Sequence, residues 1–202
     1  MLTSSEMKKV YIVTSESFPI GFAATNRIKC YAKALIRENC YVEVLVYKRT
    51  LVTKDCSPVG IVDNIKYHYV GGTVARSNNK FIARIFDIYD RLMLLVVLCG
   101  KLKPHDFVLG YVTRPFGSFI LILSHLKRCF YIAELCEYPY QDSTKPEWKK
   151  RVGTWVLLKH QFPRYDGIIA ISQPLVDFAQ KHVSKKRSEE HTSELQSHLN
   201  LV

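Results

Sequence analysis

Paired cysteines, glycine signatures and long apolar runs are all missing from this chain of 202 residues. Its six cysteines (Cys30, Cys40, Cys56, Cys99, Cys129 and Cys136) contain no CxxC pair and no regular spacing. That pattern argues against a zinc site and against a disulfide framework, and suits reduced thiols in a cytosolic protein. The longest apolar runs, such as Leu92–Cys99 and Phe119–Leu123, fall far short of the roughly 20 residues a membrane helix needs. Lys8 and Lys9 lead into a segment carrying Thr14, Ser15 and Glu16, with no apolar core or cleavage site of a signal peptide. No GxGxxG, GxxxxGK[ST], HExxH or GxSxG is present, so the usual dinucleotide, kinase-type, zinc-protease and nucleophile-elbow motifs are absent. No tyrosine has lysine four positions on, which removes the pair a short-chain dehydrogenase would need. No His/Cys cluster has metal-ligand spacing, and no metal is expected.

What is present is enough apolar matter for a core. At 48% hydrophobic the chain is expected to fold as one α/β domain. Short β-branched runs alternate with longer amphipathic stretches, the pattern of βαβ units. Strands are expected at Val10–Thr14, Val42–Tyr47, Ile65–Val70, Phe107–Tyr111, Tyr131–Leu135 and Gly167–Ile171. Helices are expected at Asn26–Arg37, Asn78–Lys101, Pro115–Leu126 and Pro146–Lys159, and Lys48–Asn64 as a loop or small hairpin. The fold class implied is α/β, a doubly wound, Rossmann-like, mostly parallel sheet with helices on both faces.

The formal charge is +11 with a pI near 9.4. The cations are dispersed, and the tightest cluster is Lys149-Lys150-Arg151 with Lys145 nearby. A solvated helix face and a contact with anionic lipid headgroups both suit that cluster. No nucleic-acid motif accompanies the charge, and no nucleic-acid partner is expected.

Candidate chemistry lies in the loops after the strands, where open α/β sheets bind ligands. After the first strand come Ser15, Glu16, Ser17 and Gly21, then Asn26 and Arg27 at the head of a helix. A strand feeding a helix through such a loop aims backbone N–H groups and the helix dipole at an anion. The plainer alternative is a simple connection with Thr25 as N-cap. The fourth strand runs into Arg114, which suits an anion or merely the surface. The fifth runs into Glu134, Glu137, Tyr138 and Tyr140; two carboxylates beside two tyrosines suit a sugar, and an incidental acidic loop is the alternative. The sixth ends at Ser172 before Pro174, a natural N-cap whose contact with ligand would be secondary.

The run Lys9–Val46, with its loop Phe18–Arg27 and following Tyr31-Ala32-Lys33-Ala34-Leu35, resembles the start of bacterial GT-B glycosyltransferases of family 4. Glu134–Tyr140 and Tyr165–Ser172 look like the fifth and sixth strand segments of the same N-terminal domain. The resemblance spans roughly Lys8–His182. It implies an acceptor-side domain that closes with a second Rossmann-like domain over a nucleotide sugar, the co-substrate, with no other cofactor. It also implies a glycan or lipid-linked acceptor and a cytoplasmic setting with peripheral contact at the inner membrane face. Gly21 takes the position that approaches the donor diphosphate, with Asn26 and Arg27 beside it. Glu137 stands where the family often has a histidine near the reacting sugar. The donor-binding carboxylates of the family belong to the second domain, so these residues alone are expected not to transfer sugar. The competing reading is a non-catalytic α/β module, in the style of flavodoxin-like regulators, that binds a phosphorylated ligand or a protein partner.

Residues 187–202 break the pattern and resemble the translation of a common sequencing-library adapter up to Ser197. The expected domain is therefore 1–186, followed by a non-native tail. The tail contributes one arginine and three glutamates, so the basic character belongs to the body.

Overall fold

The computed structural model describes residues 7–51, 56–111, 116–138 and 147–183. Arg114, Pro115, Tyr140, Lys145 and the 187–202 tail lie outside the described residues. The described residues form a seven-stranded, mostly parallel sheet with five helices, a doubly wound, Rossmann-like α/β fold. The strands are β1 (Lys9–Thr14), β2 (Tyr41–Val46), β3 (Val59–Val62), β4 (Ile65–Tyr69), β5 (Phe107–Tyr111), β6 (Phe130–Leu135) and β7 (Gly167–Ala170), in the order β3-β4-β2-β1-β5-β6-β7. The helices are α1 (Ala23–Arg37), α2 (Lys80–Lys101), α3 (Gly117–Leu126), α4 (Glu147–Val156) and α5 (Gln173–His182). Two compact units divide the chain, one comprising 1–111 with 122–131, the other 112–121 with 132–202.

In the first unit, β1 pairs in parallel with β2 on one side and β5 on the other, and β2 pairs in parallel with β4. The central strands bury nearly every residue, which is why β1 and β2 read as continuous apolar runs. Within the segment expected as a loop or small hairpin, β3 runs antiparallel to β4 through a turn at Asp63 and Asn64. Both turn residues have positive φ, 53° and 63°, the geometry that matches a two-residue turn to the twist of its strands. α1 buries Thr25, Ile28 and Ala32 on one stripe. It begins at Ala23, earlier than the expected Asn26, because the extended backbone of Phe22 already serves as its N-cap. α2 opens on Asn79, whose side chain accepts from the N–H groups of Phe81 at 2.9 Å and Ile82 at 3.4 Å; this supplies two of the N–H groups a helix start leaves unpaired.

In the second unit, β6 and β7 are parallel, with Ile132 opposite Gly167 and Leu135 opposite Ala170. β7 stops at Ala170, one residue short of the expectation. The helix expected over Pro146–Lys159 changes character at Leu157: a π-type turn covers Leu157–Gln161 and a 3₁₀ turn Phe162–Arg164. Leu157, Gln161 and Phe162 are buried there. The Gln161 amide donates to Ser118 Oγ at 2.7 Å and accepts from the Tyr165 hydroxyl at 2.8 Å, so a fully buried amide is satisfied in both directions.

Candidate functional site

From β1 the chain moves outward to β2 and β4, then returns to β5 on the other side of β1. β1 therefore lies at the topological switch point of the strand order, the place where doubly wound sheets commonly bind ligand. The β1 loop is built by its own polar groups. Thr14 Oγ1 accepts from Glu16 N at 2.9 Å, Ser17 Oγ donates to Thr50 Oγ1 at 2.7 Å, and Thr25 Oγ1 donates to the Ser17 carbonyl at 2.6 Å. Phe18 is wholly buried, precedes a cis Pro19, and has its N–H and carbonyl both bonded to the Tyr69 hydroxyl, at 3.1 and 2.9 Å.

Gly21 sits against this framework. A methyl group there would overlap the Thr25 hydroxyl and lie 2.9 Å from the Ser17 carbonyl oxygen. The glycine thus lets the loop fold tightly over the first turn of α1, whatever approaches from outside. Ile20 and Phe22 on either side are 58% and 78% exposed, so the loop presents apolar side chains to solvent.

The head of α1 has no side-chain cap and no acidic residue in its first turn. Its positive dipole end is therefore not offset by a carboxylate of that turn. Thr25, the expected N-cap, lies inside the helix instead, because its hydroxyl is taken by the Ser17 carbonyl. Asn26 is exposed, and Arg27, half-buried, donates from Nη2 to the Tyr111 hydroxyl and lies 5.7 Å from the centre of that ring. Arg27 thus links α1 to the end of β5. Gly21, Asn26 and Arg27 come together around the switch point, joined by Tyr111, Thr50 and Tyr69. Those three are separated from their partners by 84, 33 and 51 residues, and no local pattern announces them.

Arg49, three residues beyond the end of β2, has a different fate. It is buried and forms a two-point pair with Asp90 of α2, Nε to Oδ2 at 3.0 Å and Nη2 to Oδ1 at 3.0 Å. Its guanidinium also lies 3.8 Å from the centre of the Phe86 ring. Burial pushes the Asp90 carboxyl above the usual carboxylate range, although Arg49 pulls it back. Gly71, after β4, admits this pair, since a methyl group there would overlap Asp90 Oδ1.

In the second unit the expected sugar-binding residues occupy unlike environments. Glu134 is buried within β6, whereas Glu137, two residues beyond the strand, is exposed. Tyr138 packs edge-on against Phe178 of α5 at 5.4 Å, and its hydroxyl lies 3.4 Å from the Pro174 carbonyl. Ser172 is the N-cap of α5 with Pro174 in the first turn, as the sequence suggests, but its hydroxyl makes no capping bond. Among the described residues no group of three or more His, Cys, Asp or Glu could hold a metal ion, and no helix is long and apolar enough to cross a membrane. No protein-family model and no curated protein matches the chain.

Proposed function

We propose that these residues form the acceptor-side half of a two-domain glycosyltransferase of the GT-B type, which moves a sugar from a nucleotide-sugar donor to a lipid-linked or polysaccharide acceptor. The observation that carries this reading is the cluster at the switch point: the tight Gly21 loop, the uncapped head of α1, and Arg27 bonded to Tyr111. A diphosphate is the ligand that such a cluster suits, because N–H groups, dipole and guanidinium all favour negative charge. During transfer the leaving diphosphate gains charge, and these fixed groups would stabilise it without reorganising. Glu137, exposed beyond β6, offers an acceptor for sugar hydroxyls. The donor-binding carboxylates would come from the second domain.

Titration calorimetry with UDP, GDP and their sugar conjugates tests the reading. Binding is expected in the wild-type chain, weakened about tenfold or more in Arg27→Ala, as loss of a charged hydrogen bond implies. Equal binding by both chains would sink the assignment of Arg27. Binding of inorganic phosphate as tight as that of the nucleotides would favour the non-catalytic phosphoryl-binding module. Sugar transfer by the 202-residue chain itself would contradict a site divided between two domains.

A further inference from the structure

α2 is apolar on two opposite sides. Its buried residues, Ala83, Asp90, Leu94 and Leu98, recur at i, i+7, i+11 and i+15 and form one stripe along the helix. Phe81, Ile85, Ile88, Leu92 and Val96 recur at i, i+4, i+7, i+11 and i+15 on the other side, and they are 50–72% exposed. Tyr89, four residues beyond Ile85, widens this second stripe and is also exposed. At 100° per residue every charged residue of α2 falls outside it. Three of those charges are used within the same unit: Asp87 pairs with Arg76 at 2.9 Å, Asp90 with Arg49 at 3.0 Å and Lys101 with Glu43 at 2.9 Å. A surface helix normally turns a polar face to water, and an uncharged apolar patch of this length marks an interaction surface.

We propose that this face of α2 is the contact between two copies of the chain. Area is the first argument: the six side chains expose on the order of 600 Å², so two copies would bury about 1,200 Å², which reaches the range of a specific, stable interface. α3 (Phe119, Ile122, Leu126) and α4 (Trp148, Val152, Trp155) each offer only three large exposed apolar side chains, too few for a dimer of their own. Spacing is the second argument. The 4-3-4 steps of Phe81, Ile85, Ile88 and Leu92 form the seam by which one helix packs against another of the same pattern, and a two-fold axis lets one stripe supply both halves. Charge is the third: the chain carries +11, and a seam without charged residues lets two basic copies meet without burying a cation. Arg84 and Arg91 border the stripe and are exposed, which leaves them at a solvated rim. The contact uses none of the switch-point residues, so it stands or falls apart from sugar transfer.

Sedimentation velocity of the 202-residue chain at about 100 μM is expected to give the mass of two copies, in line with an interface of this size. Ile88→Arg, in the middle of the stripe of both copies, should raise the dissociation constant about a hundredfold or more, while Trp155→Ser on α4 should leave it unchanged. Ile88 is exposed, so circular dichroism should show an unaltered fold in the variant. A cross-link tests the seam itself. Cys99 is exposed at one end of the stripe, and Phe81→Cys places a second thiol at the other end. At 1.5 Å per residue the two thiols lie about 27 Å apart along one helix, too far for a disulfide within a copy. Diamide, which accepts the two electrons and two protons that a thiol pair loses, is expected to join copies through position 99 to position 99 if the helices run parallel, or 81 to 99 if antiparallel, and mass spectrometry of the linked peptides identifies which. Either link supports the proposal, provided that Ile88→Arg abolishes it. A monomer at about 100 μM would overturn the proposal, as would a dimer that Ile88→Arg leaves intact or one that forms neither link. A monomer that sediments with phospholipid vesicles, and loses them in Ile88→Arg, would overturn it too and assign the face to lipid.

Discussion

Replacing Gly21 by alanine isolates the contact on which the β1 loop depends. The backbone of Gly21 is not left-handed, so alanine meets no dihedral penalty, and the whole effect comes from crowding. The new methyl group overlaps the Thr25 hydroxyl and lies 2.9 Å from the Ser17 carbonyl, the two atoms already joined at 2.6 Å. Thr25 is buried, so rotating it away breaks a part-buried hydrogen bond, a loss of about 1–2 kcal/mol. Moving the Ser17 carbonyl as well adds about 1 kcal/mol of overpacking. Gly21→Ala is therefore expected to cost about 2–3 kcal/mol in urea-monitored unfolding. Thr25→Ala alone should cost about 1 kcal/mol. In the double variant the hydroxyl conflict is gone, so Gly21→Ala should cost at least about 1 kcal/mol less than it does in the wild type. A cost for Gly21→Ala below about 0.5 kcal/mol, or the same cost in both backgrounds, would refute this account of the glycine.

The buried Arg49–Asp90 pair should behave asymmetrically: Asp90→Asn strands a buried guanidinium and should cost about 3–5 kcal/mol, whereas Arg49→Met/Asp90→Leu should be near neutral by urea denaturation. Asn79→Ala should destabilise by about 1 kcal/mol through loss of the α2 cap, measured by the same method; no change would mean that water serves Phe81 and Ile82 equally well. His68 gives a pH dependence. Burial holds its pKa below the usual value, with Lys101 adding to the effect and Glu43 opposing it. The unfolded chain therefore takes up the proton first as pH falls, and stability should drop below about pH 6.5. Comparing unfolding midpoints at about pH 7.5 and 5.5, His68→Gln should lose less than the wild type; identical slopes would assign the dependence to other groups.

The strand positions were legible because a parallel sheet buries both faces of its strands. Phe107–Tyr111 emerges with its expected bounds, and β1, β2, β4, β6 and β7 differ by single residues at their ends. β3 was visible only as part of a loop or hairpin: Val59-Gly60-Ile61-Val62 is a short edge strand with no buried residue, so burial imprints no period on it. The start of α1 was misplaced because Ala23 and Ala24 carry no capping signal and the competing hydroxyl of Thr25 is claimed by Ser17. The π-type turn after α4 depends on Gln161 reaching Ser118, a tertiary contact 43 residues apart, and so left no trace in spacing. Glu134 and Glu137 looked alike in sequence, yet one lies inside a strand and the other beyond its end. Three residues along such a segment is enough to move a carboxylate from the core to solvent.

The two arginines at this edge of the first unit show most plainly what sequence leaves undecided. Arg27 lies near the start of α1 and Arg49 shortly after β2, and neither carries a local mark of its partner. Arg49 meets Asp90 in a buried, two-point geometry over Phe86, so its charge is consumed in holding α2 to the sheet. Arg27 meets the phenol of Tyr111 at a half-buried position, a partner that orients the guanidinium and retains its charge. A hydroxyl holds a cation in place, while a buried carboxylate neutralises it. Substitution of Arg49 should accordingly register in stability, and substitution of Arg27 in phosphate affinity with little change in stability. If the two effects were exchanged, the proposed anion site would have to be sought at the end of β2 instead of at the head of α1.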